Sequence, residues 1–247
     1  MAKRSGLGMA LYVAGYDLSG DITALDNVKG GPNLLECTAI DKNGIERVGG
    51  LFSGLLGCTS WFNPSAGTAH DRFNNLPTTD QLVSARIGTS LGQPSVDLLA
   101  KQVGYDANRA NDGALTFKVE GLSSAGYPLE WGVQLTAGKR IDSTATNGTG
   151  VDGTASSAFG LAAYLHVFAF AGTSVTVKIQ HSSDNGSGDP YADVTGAAFT
   201  AATGITFQRV QTANNLTIKR WLRAVTTGTF SNAVFSCSVV RHLTAVQ

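Results

Sequence analysis

Residues Leu115 to Leu135 read LTFKVEGLSSAGYPLEWGVQL. Leu115, Phe117 and Val119 alternate with Thr116, Lys118 and Glu120. Beyond the turn signal SSAGYP, Leu129, Trp131, Val133 and Leu135 alternate with Glu130, Gly132 and Gln134. A period of two sends successive side chains to opposite sides of an extended chain. The stretch therefore predicts antiparallel strands with an apolar face in a core and a polar face in water. The same pattern recurs where Val175, Val177 and Ile179 alternate with Thr176, Lys178 and Gln180. Breaks such as SSDNGSGDP and TTGTFSN read as turns between such runs. The chain is expected to be mainly β.

Length and charge bound what this sheet protein does. At 247 residues there is room for two modest domains, each with its own core. Charged residues make up only 15%, and eighteen basic residues balance eighteen acidic ones. That balance argues against a basic nucleic-acid groove and against recruitment to an anionic membrane. No window reaches the apolar length of a membrane span. The opening MAKRSGLGMALYVAG has a basic start and an apolar run, but glycines interrupt it and no small-residue cleavage pattern follows, which reads against export. Cys37, Cys58 and Cys237 have no paired spacing, so buried thiols in a reducing compartment are expected.

Along the chain, Asp142–Ser157 (DSTATNGTGVDGTASS) holds one large apolar residue, Val151. Such a composition buries little surface, and it predicts a flexible linker at 142–157 between domains at 1–141 and 158–247. In the second, Tyr164–Phe170 (YLHVFAF) is apolar on both faces, as in a strand covered on both sides. Runs near Val175–Gln180, Tyr191–Val194, Ile205–Gln211, Leu216–Val225 and Val234–Arg241 complete an immunoglobulin-like or jelly-roll-like β-sandwich. Helix signals are few. AHDRFNNLP predicts a short helix, while SVDLLAKQV fits either a helix or a strand.

Chemistry-bearing constellations are scarce. His166, inside the apolar strand, reads as a hydrogen-bonded core or interface residue. His181 and His242 read as solvated strand ends, and His70 falls in the first turn of the short helix. No nucleophile elbow, phosphate-binding loop or His-Glu-x-x-His occurs, so no catalytic residue, metal ligand or cofactor is assigned. The loop holding Asp184, Asn185, Ser187, Asp189 and Asp193 has oxygen ligands at irregular spacing, which suits an exposed hairpin better than a calcium site. Lys219, Trp221 and Arg223 share a strand face. They suit either a sugar-stacking platform or a Trp flanked by snorkelling cations.

The remaining signal is Gly44–Pro64, GIERVGGLFSGLLGCTSWFNP. In Leu51–Phe62 neither alternating set is polar: Leu51, Leu55 and Trp61 oppose Phe52, Leu56, Cys58 and Phe62. A strand greasy on both sides is either the centre of a closed barrel or a surface awaiting a second copy. On the second reading Leu51, Phe52, Leu55, Leu56, Trp61 and Phe62 form a subunit interface.

The order of these segments is similar to that in tail-tube (major tail) proteins of bacteriophages with long non-contractile tails. The resemblance rests on Asp17-Leu18-Ser19-Gly20, Thr38 to Asp41, Gly50-Leu51 with Gly54, and Trp61-Phe62-Asn63-Pro64. The stretch from Leu115 to Gly153 looks most like tail proteins of phages infecting actinobacteria. Phe52-Ser53 and Leu55-Leu56 depart from it, because relatives often carry charge there. The resemblance implies an N-terminal tail-tube-type β-sandwich or barrel with one short helix and an appended outer sandwich. It also implies a non-enzymatic virion protein made in the host cytoplasm. Its partners would be copies of itself in stacked, hexameric rings, together with tape measure, tail terminator and distal tail proteins. Genomic DNA would pass through the lumen without specific binding. The alternative expectation is a virion or cell-surface β-sandwich that recognises carbohydrate through Lys219, Trp221 and Arg223.

Overall fold

The computed structural model describes residues 5–244. In chain order the elements are β1 (Ala10–Val13), β2 (Tyr16–Asp17), β3 (Ile22–Glu36), β4 (Arg47–Trp61), α1 (Ala69–Phe73), β5 (Gln81–Arg86) and β6 (Pro94–Arg109). They continue with β7 (Leu115–Ser123), β8 (Glu130–Gln134), β9 (Arg140–Asp142), β10 (Val151–Asp152), β11 (Leu161–Ser182), β12 (Ala192–Ala198), β13 (Thr206–Gln211) and β14 (Trp221–Arg241). The described residues are mainly β with one short helix. The undecided SVDLLAKQV segment lies in β6.

The chain forms two compact units, each discontinuous in sequence. One comprises the chain through Ser19, Ser84–Asp97, and everything from Trp131 onward; the other comprises Gly20–Val83 and Leu98–Glu130. These bounds differ from a sequential division around a linker at 142–157. In the first unit that segment lies along β14 instead. β9 at the segment's start and β10 within it both pair with β14, and isolated bridges join Asn147 to Val225 in that strand and Ser157 to Ile218 just before it. Its backbone hydrogen bonds, which composition does not report, hold it there. The buried Asp142 adds side-chain bonds, accepting from Arg140 at 2.8 Å and from Thr226 Oγ1 at 2.7 Å.

The first unit is organised by β11 and β14, which pair antiparallel along their lengths from Leu161↔Arg241 to Ser182↔Trp221. Of the breaks read as turns, SSDNGSGDP does turn the chain between β11 and β12, but TTGTFSN stays inside β14, and the antiparallel pair takes up its irregularity as register shifts around Gly172, opposite Phe230. The runs 164–170 and 175–180 are therefore one strand, as are 216–225 (from Trp221) and 234–241. β12 and β13 pair with the other edge of β11. One face of β11 carries Leu161, Ala163, Leu165, Val167, Val175, Val177 and Ile179 into an apolar core with Phe235, Cys237 and Val239. The other face carries Tyr164 and His166, also buried, so β11 is covered on both sides as its sequence requires. In β8 the period of two holds but the faces are reversed. Gln134 is fully buried and donates to the carbonyls of Gly88 (2.8 Å) and Pro94 (3.2 Å), whereas Trp131 is 57% exposed. Partners for a polar amide, invisible in sequence, outweigh the hydropathy of the alternate set.

In the second unit an antiparallel sheet runs β3–β4–β7–β6. A transverse row joins Leu25 to Cys58, Val119 and Tyr105. Helix α1 packs on this sheet through Phe73, which is buried, and His70, whose Nδ1 lies 2.8 Å from the hydroxyl of Tyr105. Tyr105 in turn stacks on Phe117 at 4.4 Å. The preceding Thr68 makes no side-chain cap; the carboxylate of Asp21 accepts the Ala69 N–H at 3.0 Å and does that work from a distance in sequence.

Candidate functional site

The long β3–β4 hairpin carries the most exposed apolar surface. Its strands pair from Ile22↔Ser60 to Glu36↔Arg47, and on its other side β4 pairs with β7 only from Leu55 to Trp61. Toward the base, even-numbered side chains of β4 face inward: Leu56, Cys58 and Ser60 are buried. Leu129 then closes this face over Gly54 and its cross-strand partner Gly30. Past that point no cover remains. Leu51 is 86% exposed and its neighbour Phe52, on the opposite face, 67%. On β3, Leu34 and Leu35 are equally adjacent and stand 63% and 60% exposed. Ile40, Ile45 and Val48 around the tip are exposed as well.

Of the six residues expected at a subunit interface, Leu51, Phe52, Trp61 and Phe62 are exposed and Leu55 is half-buried. Leu56 is 3% exposed and belongs to the unit's own core. Leu34, Leu35, Ile40, Ile45 and Val48 escaped sequence reasoning. Their signal was adjacency: Leu34-Leu35 breaks alternation as Leu51-Phe52 does. Among the described residues β3 pairs with β4 alone, so its other edge offers backbone N–H and C=O groups along fifteen residues.

Lys219, Trp221 and Arg223 come together only in part. Trp221 and Arg223 share the outer face of β14, with Leu222 and Ala224 buried beneath. Lys219 Nζ contacts both carboxylate oxygens of Asp189 at 2.7 Å. Arg223 donates to Gln180 Oε1 at 3.0 and 2.7 Å, and its guanidinium lies 4.0 Å over the Tyr191 ring. Arg220, itself paired with Asp152, lies 5.7 Å over Trp221. The basic groups are thus engaged within the chain.

The acidic loop is also self-satisfied. The Asp184 carboxylate accepts backbone N–H groups of Gly186, Ser187 and Asp189 at 3.0–3.1 Å and that of Gly188. These bonds hold its pKa below the ordinary carboxylate value. The Lys219 bond, with a bond from the Ser183 N–H, draws Asp189 down to about 2. Among the described residues no group of three or more His, Cys, Asp or Glu side chains is placed to hold a metal ion. Burial pushes the Cys58 and Cys237 thiols up to about 12, so both stay protonated, whereas Cys37 is exposed rather than buried. His242 is buried rather than solvated. No described helix is long and apolar enough to cross a membrane.

No family model and no curated protein matches the chain. Among solved structures it is similar to the Dit protein of phage SPP1, described as a paradigm of the hub adsorption apparatus in phages infecting Gram-positive bacteria. Identity is 11% over 94% of this chain and 99% of that one, with a TM-score of 0.35. It is also similar to chains of the phage P2 baseplate in its activated conformation. With Ca the values are 11% identity, 96% and 99% coverage and TM-score 0.30; with Sr they are 9%, 96%, 99% and 0.32. Likeness at these TM-scores carries no argument about what this chain does.

Proposed function

We propose that the chain is a non-enzymatic structural subunit of a phage tail apparatus, working by self-association in the virion. The observation that carries this reading is the two-faced exposure of Leu51 and Phe52 beside the open edge of β3. A monomer that left this hairpin uncovered would aggregate; a ring covers it with the neighbouring copy. The segment order shared with tail-tube proteins points to the same end. On this reading the copies form hexameric rings stacked into a hollow tube. Tape measure, terminator and distal tail proteins meet its ends, and DNA crosses the lumen without base-specific contacts. The near-zero net charge agrees, because a basic lumen would retain phosphates. Light scattering coupled to gel filtration, with negative-stain images of the purified chain, tests this. Rings or hollow tubes are expected. A monodisperse monomer at high concentration would sink the proposal.

A second reading places the chain in adsorption machinery, as a virion module that recognises carbohydrate. Tyr191 and Trp221, which give this unit aromatic side chains beside Lys219, Arg220 and Arg223, support it. Glycan-array binding abolished by Trp221→Ala, without tube formation, is the result that would favour it.

A further inference from the structure

The β1–β2 hairpin turns through Ala14 and Gly15, both at positive φ (50° and 85°), with Val13 paired to Tyr16. Such a two-residue turn suits glycine and strains alanine. The turn is pressed against its surroundings. A β-carbon at Gly15 would lie 2.8 Å from Ile205 Cγ2 and 3.0 Å from the carbonyl oxygens of Val167 and Thr206. Its amide N–H donates to Nδ1 of His166 at 3.1 Å.

That single bond fixes the imidazole. A backbone N–H only donates, so Nδ1 carries no proton and the ring proton sits on Nε2, which donates to Ser84 Oγ at 2.8 Å. Ser84 then donates to Asp97 Oδ1 at 2.5 Å. A second proton on His166 would set a donor against a donor at a fully buried site. We infer that His166 is an acid-sensitive latch: proton uptake at Nδ1 removes the acceptor that docks Gly15 and releases the β1–β2 hairpin.

The groups around the ring leave the proton no compensating partner. From β5 comes the Arg86 guanidinium, which opposes a cation; from β1, Tyr12 lies edge-on at 5.9 Å; from β14 comes Ser236. Asp97, from β6, is the nearby carboxylate, and it already accepts from Arg86 (2.9 Å), Ser95 (3.0 Å) and Ser238 (2.8 Å) besides Ser84. Burial, helped by Arg86, keeps the imidazole neutral to well below its ordinary range. From β2, Asp17 reaches away to Lys139 at 2.5 Å, and hydrogen bonds from Lys139 and Ser19 outweigh its burial and keep it ionised below the usual carboxylate range. That outer tie therefore persists while His166 titrates.

The test is amide hydrogen exchange of the full chain at Gly15, Val13 and Leu18, corrected for intrinsic rates, from about pH 7.5 to about pH 4.5. Protection is expected to fall about tenfold per pH unit below about 6.5, because the opened hairpin leaves an ordinary histidine that binds a proton. His166→Gln keeps an oxygen acceptor and an N–H donor but does not titrate, so this slope should vanish. A flat profile in the wild type, or the same slope in H166Q, overturns the latch. Should H166Q fail to fold, imidazole nitrogen NMR of the wild type decides. A neutral Nε2–H ring that persists until the hairpin amides open supports the latch. A charged or Nδ1–H ring with those amides still protected refutes it.

Discussion

Leu129 lies directly over Gly54: a β-carbon at Gly54 would stand 2.5 Å from that of Leu129 and 2.8 Å from its backbone nitrogen. The Gly54 N–H also donates to Ser123 Oγ at 2.8 Å, so two neighbours fix this point of the hairpin. It divides the covered base from the uncovered tip. Gly54→Ala should therefore push the Leu129 segment away and destabilise the protein by about 1–3 kcal/mol. A urea melt reads this directly, and an unchanged midpoint would show that the approach is not tight.

The tip and the base of β4 should respond oppositely to substitution. Leu51→Asp and Phe52→Asp act on exposed side chains, so each should change stability by less than about 0.5 kcal/mol. Both should weaken self-association about tenfold or more, read by light scattering across a concentration series. Leu56→Ala, inside the core, should instead cost about 2–5 kcal/mol in the folded unit itself.

Asp97 is buried and accepts bonds from Arg86 and three serine hydroxyls. Asp97→Ala leaves the Arg86 charge uncompensated and should cost about 3–5 kcal/mol by denaturant unfolding. Arg86→Met with Asp97→Leu should recover much of that loss, since removing both charges also removes their desolvation. A double variant less stable than Asp97→Ala would mean that the pair stabilises beyond its burial cost.

Acid should act in two separated stages. His166 is neutral when folded and its folded pKa is depressed, so unfolded chains bind the extra proton. Stability then falls by about 1.4 kcal/mol per pH unit below about 6.5. Asp152 and Asp189 are also depressed, both to about 2, chiefly by hydrogen bonds from Arg220 and Lys219 respectively. Their contribution is complete above the ordinary carboxylate range and is lost only as the pH falls toward about 2. Exchange at the 183–189 amides should stay protected through the first stage and rise in the second. Simultaneous loss of both regions would contradict the assignment.

How much of this was legible depends on what each signal reports. Alternation reports period, and the period was right at Val175, Val177 and Ile179, which all enter the core. It does not report which face turns inward, and in β8 Gln134 went in while Trp131 stayed out. Composition reports apolar content, so Asp142–Ser157 read as a linker; backbone hydrogen bonding to β14 depends on register, which composition lacks. The apolar hairpin was legible at Leu51–Phe62, but Leu56 and Leu51 differ only in what the fold lays over them.

Local sequence alone suffices for a mainly β chain, the position of the short helix, a strand apolar on both sides at Tyr164–Phe170, and a second such strand at Leu51–Phe62. These follow from local periodicity and side-chain chemistry. That Leu129 ends the cover at Gly54, that Gly15 docks on His166 and that Arg86 meets Asp97 emerges from the fold. Each of those joins residues through a cross-strand register or a loop approach. Register is set by the summed burial and hydrogen bonding of whole strands, so no short stretch of sequence carries it.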